Sequence, residues 1–253
     1  MVPMKDIFLH TEMLGKQGPK ILLLHGWGQD LTQLKPLGEL LSTSMRVFLV
    51  DLPGFGKSSA PSTVWSSFDY ADFIVSYLNK NQIEKAHILG HSFGGKVALS
   101  MAIRYSERVD SLVLASPSGL KRSRSFFQKC RFRAIQSGSF FFKQIDRWTG
   151  SQLFSNYFAP YFGSADYKNA GAMRSILVRS VNEDLFPHLK EVKAKTLLLW
   201  GEKDTETPIE MGLRMQKAIP FSNLVQFSQH GHQLFQDTGG NHLSAYHIQR
   251  FLQ

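Results

Sequence analysis

Short apolar runs recur along this chain, and longer segments with helical apolar spacing separate most of them. The runs are K-I-L-L-L-H-G (20–26), M-R-V-F-L-V-D (45–51), A-H-I-L-G (86–90), S-L-V-L-A-S (111–116) and K-T-L-L-L-W-G (195–201). They are continuously apolar rather than alternating, as strands buried on both faces of a parallel sheet must be. N-L-V-Q-F-S (223–228) is a weaker sixth, and I-F-L-H-T-E (7–12) is expected to add an antiparallel edge. Crossover helices are expected over 32–41, 68–80, 93–105 and 209–219, with a terminal helix over 242–252. Strand, helix and strand in succession predict βαβ units and a mostly parallel central sheet flanked by helices.

One interval breaks the rhythm. Between Gly119 and Lys195 no strong strand appears, yet the stretch is too long for a structureless loop. It contains the basic and aromatic segments F-F-Q-K-C-R-F-R and S-F-F-F-K, then the helix-like M-R-S-I-L-V-R-S-V-N-E-D-L. The expectation is a core formed by 1–118 and 196–253, with 119–195 inserted as a mostly helical segment over the sheet edge.

Charge bears on partners. The chain carries 29 Lys+Arg against 20 Asp+Glu, and Lys121, Arg122, Arg124, Lys129, Arg131, Arg133, Lys143 and Arg147 cluster in the insertion. Such a patch favours acidic partners without identifying one. It is interleaved with phenylalanines and joined to no nucleic-acid-binding motif, which argues against nucleic-acid binding. No apolar run approaches the roughly 20 residues that span a bilayer. The single cysteine, Cys130, excludes an intrachain disulfide framework, and M-V-P-M-K-D begins no signal peptide. A cytoplasmic location is the resulting expectation. Scattered histidines lack a metal-ligand spacing, and no dinucleotide fingerprint is present, so neither metal nor cofactor is expected. D-L-P-G-F-G-K-S (51–58) has Gly, Lys and Ser together, but one residue separates its glycines where a phosphate-binding loop needs four. It reads as a tight strand exit.

The chemistry concentrates in G-H-S-F-G (90–94), a G-x-S-x-G pattern between an apolar run and a helical segment. Glycines on both sides permit a sharp turn that projects Ser92 near a helix N-terminus. A serine hydroxyl needs a base to take its proton. His91 adjoins Ser92 but should point elsewhere by backbone alternation. His232, in Q-H-G-H-Q after the last weak strand, is the stronger candidate, with His230 two positions away. The base needs an orienting acid. Asp204, in W-G-E-K-D (200–204), fits, with Glu202 and Asp237 as alternatives. Attack on an acyl carbon also needs donors for the oxyanion. The backbone amides of Phe93 and of Trp27, in H-G-W-G-Q (25–29), are the candidates.

Together H-G-W-G-Q, D-L-P-G-F-G-K-S, G-H-S-F-G-G, W-G-E-K-D and G-H (231–232) resemble the capped α/β-hydrolase superfamily, in family order and across nearly the whole chain. The resemblance implies an α/β-hydrolase fold with a helical cap, a Ser92–Asp204–His232 triad and oxyanion amides from Trp27 and Phe93. It implies hydrolysis of a carboxylic ester through an acyl-enzyme. The pattern also resembles esterases acting on pimeloyl carrier-protein methyl esters, which would make the basic segment a docking surface for an acidic carrier protein. Carbon–carbon bond hydrolysis of a diketone and non-catalytic ligand binding are the other readings. Oligomeric state is open.

Overall fold

The computed structural model describes residues 7–121, 140–153 and 165–253. Among the described residues seven strands form one sheet: β1 (Thr11–Leu14), β2 (Lys20–Leu24), β3 (Arg46–Val50), β4 (Ala86–His91), β5 (Val109–Ala115), β6 (Lys195–Gly201) and β7 (Ser222–Phe227). Their spatial order is β1-β3-β2-β4-β5-β6-β7; β1 pairs antiparallel with β3, and every other pairing is parallel. This is the α/β-hydrolase fold. The expected edge strand exists but begins at Thr11 rather than Ile7. Its residues are half-buried at most, so no apolar stripe sharpens its limits.

The helices lie between the strands as the apolar spacing requires. Among them are α1 (Lys35–Leu41), α2 (Ser67–Lys80), α3 (Ser92–Arg104), α4 (Arg174–Asn182), α5 (Ile209–Ala218) and α6 (Thr238–Leu252). α1 starts later than expected because Pro36 favours the first turn, and a 3-10 turn precedes it. α2 begins with a reciprocal capping box: the Ser66 hydroxyl accepts the Asp69 N–H, and the Asp69 carboxylate accepts the Ser66 N–H. α6 begins four residues earlier than expected, because the Asp237 carboxylate caps Gly240 N and holds a glycine pair in the helix.

The core is the sheet's buried apolar ladder. Ile21, Leu22, Leu23, Leu24, Leu49, Val113, Leu197 and Leu199 are all at most 3% exposed, which accounts for their unbroken apolar runs. The chain order reverses between β2 and β4, so the loops leaving these two strands diverge. A crevice outside the carboxyl ends of the strands is where such sheets bind ligands.

By contacts the chain divides into two units, residues 1–120 with 179–253, and residues 121–178. Residues 179–195, expected in the insertion, belong to the first unit. There the Leu185 amide donates to Gly119 O, and Glu183 accepts from the Ser67 amide at the start of α2. In the second unit residues 140–149 are helical. Asp146 closes the turn that follows, accepting from Ser151 Oγ and Leu153 N. Phe140, Phe141 and Trp148 are exposed. Phe126, Phe127, Phe132, Cys130 and the basic residues from Arg122 to Arg133 lie outside the described residues. Among the described residues no helix is long and apolar enough to cross a membrane.

Candidate active site

The turn after β4 depends on its glycines. A Cβ on Gly90 would lie 2.3 Å from Gly94 O, one on Gly94 2.2 Å from Leu24 O, and one on Gly95 2.7 Å from Pro117 Cβ. Glycine at these positions lets α3 start directly against β2 and β4. Ser92, its first residue, has φ +49°. A non-glycine residue in that left-handed region carries about 1–3 kcal/mol of strain, which surrounding structure must hold. Phe93 is the second residue of α3, so its N–H is one of the first-turn amides that lack an acceptor in the helix.

The acid turn is built by close backbone approach. A Cβ on Gly201 would sit 2.3 Å from Gly231 O, and Lys203 N donates to His230 O at 3.0 Å. The turn after β6 therefore lies directly on the histidine loop after β7. Buried Trp200 ties the far end of that turn to β6, its indole N–H donating to Thr207 O at 2.7 Å.

These three loops bring together Ser92, His232 and Asp204: Ser92 and His232 are 140 positions apart, His232 and Asp204 28. Ser92 Oγ lies 3.0 Å from His232 Nε2, and His232 Nδ1 lies 2.8 Å from Asp204 Oδ2. The arrangement suits a serine hydroxyl donating to Nε2 while Nδ1–H donates to the carboxylate. Asp204 Oδ1 accepts the amides of Glu206 and Thr207, and Oδ2 accepts the Thr207 hydroxyl, each at 2.8 Å. Burial alone would raise the Asp204 carboxyl. The hydrogen bond and charge of His232, with the Thr207 donors, outweigh it and hold the group below the usual carboxylate range.

The alternatives separate by position. His230 faces Asp237, with Nε2 3.6 Å from Oδ2, and Asp237 serves as the α6 cap. Glu202 is exposed. His25 is buried between Gly26 O, 2.7 Å from Nδ1, and Leu52 N, which donates to Nε2 at 2.9 Å. Burial lowers its pKa, so it stays neutral.

The same His25 contact orients the proposed oxyanion amide. With Nε2 accepting, Nδ1–H donates to Gly26 O, which also accepts from Gln29 N at 3.3 Å. In a planar trans peptide the N–H points opposite its carbonyl. The Trp27 N–H is therefore turned away from His25. The Trp27 ring packs edge-on against Phe55 and Phe93, at centroid distances of 4.9 and 5.2 Å.

Sequence reasoning missed four neighbours of these groups. Thr207 was one polar residue in a polar loop. Glu206, exposed, has Oε2 3.4 Å from His232 Nε2. Gln33 and Gln233 meet each other at 3.1 Å across 200 positions. No local pattern marks them. Among the described residues no group of three His, Cys, Asp or Glu is placed to hold a metal ion.

A family profile described as alpha/beta hydrolase fold matches residues 19–131, and one described as TAP-like protein matches residues 172–253. The chain belongs to the α/β-hydrolase superfamily. This α/β-hydrolase is similar to 2-hydroxy-6-oxo-6-phenylhexa-2,4-dienoate hydrolase of Comamonas testosteroni, at 28% identity over 90% of this chain and 86% of the relative. Among solved structures it is similar to a bacterial membrane phospholipase A, with TM-score 0.76, 24% identity, and 98% and 83% of the two chains covered. It is also similar to a thermophilic esterase from Thermogutta terrifontis, with TM-score 0.70, 23% identity, and 97% and 94% covered.

Proposed function

We propose that this α/β-hydrolase is a serine hydrolase that cleaves carboxylic esters through an acyl-enzyme. The observation that carries the reading is the continuous chain from Ser92 Oγ through His232 to Asp204, at 3.0 and 2.8 Å. In the first step Ser92 Oγ attacks the acyl carbon as His232 Nε2 takes its proton. The carbonyl oxygen becomes an oxyanion held by the Trp27 and Phe93 amides, and Asp204 stabilises the imidazolium. Collapse breaks the bond to the alcohol oxygen, which leaves with the proton from His232. Water then attacks the acyl carbon, gives its proton to His232, and the acid departs as that proton returns to Ser92 Oγ.

A second reading is carbon–carbon bond hydrolysis of a vinylogous diketone, supported by the name of the Comamonas relative. Substrate selection is assigned to the inserted unit, residues 121–178, which carries the exposed apolar side chains of Phe140, Phe141 and Trp148. Two partner readings attach to that segment: a small acyl ester, and an acyl group carried by an acidic protein that its cations attract.

Incubation with a panel of short esters, a methylated acyl-carrier substrate and a dienoate diketone distinguishes these readings, with intact-mass detection of acyl-Ser92. Ester turnover that is lost in Ser92→Ala is expected. Unchanged turnover in Ser92→Ala would sink the nucleophile assignment, and turnover of the diketone alone would replace the ester reading with the second one. Preference for the carrier substrate at low salt, lost at high salt, would identify carrier recognition.

A further inference from the structure

His91 precedes the nucleophile yet turns away from it, and it is 1% exposed. Its Nε2 lies 2.9 Å from the backbone carbonyl of His232, and its Nδ1 lies 3.0 Å from Gln33 Nε2. A carbonyl can only accept, so Nε2 carries the proton and Nδ1 accepts from the Gln33 amide. The second N–H of Gln33 donates to Gln233 Oε1 at 3.1 Å, and Gln33 Oε1 accepts Gly26 N–H at 2.9 Å. Each polar atom of the Gln33 amide and of the His91 ring has a partner, which sets both the Gln33 amide orientation and the His91 tautomer.

The relay adds side-chain ties between three segments: the loop after β2, the turn after β4 and the loop after β7. Gly26 directly precedes Trp27, whose amide is the proposed oxyanion donor. His91 directly precedes Ser92. His232 and Gln233 belong to the loop that carries the base. Gly26 is also the residue whose missing side chain admits the His91 ring, since a Cβ there would lie 2.9 Å from Nδ1.

We infer that Gln33 and His91 are positioning residues that hold the oxyanion loop, the nucleophile turn and the His232 backbone in a single catalytic register. The inference rests on the serine-hydrolase reading above. Gln33 holds the His25–Gly26 peptide at the Gly26 N–H, and His25 holds the Gly26–Trp27 peptide at the Gly26 carbonyl, so both peptides leading to the Trp27 N–H are fixed. His91 grips the main chain of His232, leaving that ring free for Ser92 and Asp204. Loss of the relay displaces the donor and the base relative to Ser92 without removing either, and a misplacement of about 1 Å costs about 100-fold in rate.

The test uses the full chain and a fluorophosphonate, which phosphonylates an activated serine with loss of fluoride and needs no knowledge of the natural ester. Rates are compared for the wild type, Gln33→Leu, His91→Leu, their double variant, His91→Gln and Ser92→Ala, with thermal melting as a check on folding. The maximal labelling rate is expected to fall about 10- to 100-fold in each leucine variant, with the half-saturating probe concentration changed less than about threefold. The double variant should label about as slowly as either single one, because the two residues act as a unit. His91→Gln keeps a donor for His232 O and an acceptor for Gln33, and should recover to within about fivefold of wild type.

Folded leucine variants that label within about twofold of wild type would overturn the inference. So would rate losses that multiply in the double variant, or a His91→Gln variant as slow as His91→Leu. Labelling that persists in Ser92→Ala would instead refute the nucleophile reading, a separate failure from that of the relay.

Discussion

Acid should destabilise this protein partly through His91, and the size of that effect follows from its surroundings. Burial is the largest influence and pushes the imidazole down to about 3 from an ordinary value of 6.5. The charge of His232 acts in the same direction, while the bond to the His232 carbonyl and the Asp204 carboxylate oppose it; His25 adds a further repulsion. The unfolded chain therefore binds the proton between pH 6.5 and about 3, and the folded chain does not. Stability is fully present above 6.5 and is lost as pH falls toward the folded value. Integrated from pH 7 to pH 5, the loss assigned to this one group is about 2 kcal/mol, rising to about 3 kcal/mol at pH 4. Urea unfolding followed by tryptophan fluorescence measures it, as the difference between the wild type and His91→Gln at each pH. His25 and His87, which burial also lowers, remain in both proteins and cancel in the difference. The wild type should lose about 2 kcal/mol more than the variant between pH 7 and pH 5. Parallel loss in the two proteins would refute the assignment of a neutral, buried His91.

Other perturbations probe the same framework. On the proposed mechanism Asp204→Asn removes the charge that stabilises imidazolium and should lower ester turnover by about 10⁴-fold, measured as kcat with the best ester of the panel. Gly94→Ala places a methyl 2.2 Å from Leu24 O and should cost at least about 1–3 kcal/mol, read from the urea midpoint. Lys96 is buried in α3, its ammonium donating to Ser180 O, and burial lowers its pKa to about 8 from 10.5 against the pull of Glu183 and Asp184. The unfolded chain binds more protons between those values, so stability attributable to Lys96 rises with pH across the window. Lys96→Met should therefore gain relative to wild type by about 3 kcal/mol more at pH 7 than at pH 10.5, and a constant difference would contradict the buried charge.

The parts of this protein legible in its sequence are those where neighbours along the chain impose the constraint. Buried parallel strands need unbroken apolar runs, so β2 to β6 were visible, and G-H-S-F-G-G needs its glycines because the first turn of α3 lies against β2 and β4. β1 was harder to bound because its residues are half-buried and leave no sharp apolar pattern. Ser92, His232 and Asp204 could be nominated from motifs, but Glu202, His230 and Asp237 carried the same chemistry at nearby positions. Only the packing of the β6 turn on the β7 loop, backbone to backbone at Gly201 and Gly231, turns Asp204 rather than Glu202 toward His232. The relay through Gln33, His91 and Gln233 left no trace in the sequence at all. A glutamine in a helix approach and another after a histidine are ordinary residues until the order of β2, β4 and β7 brings 33, 91 and 233 within hydrogen-bonding distance. Backbone sterics act over a few residues and write themselves into local composition. Hydrogen-bond partners across 58 and 200 positions are chosen by the folded sheet, which alone decides what each buried polar group meets.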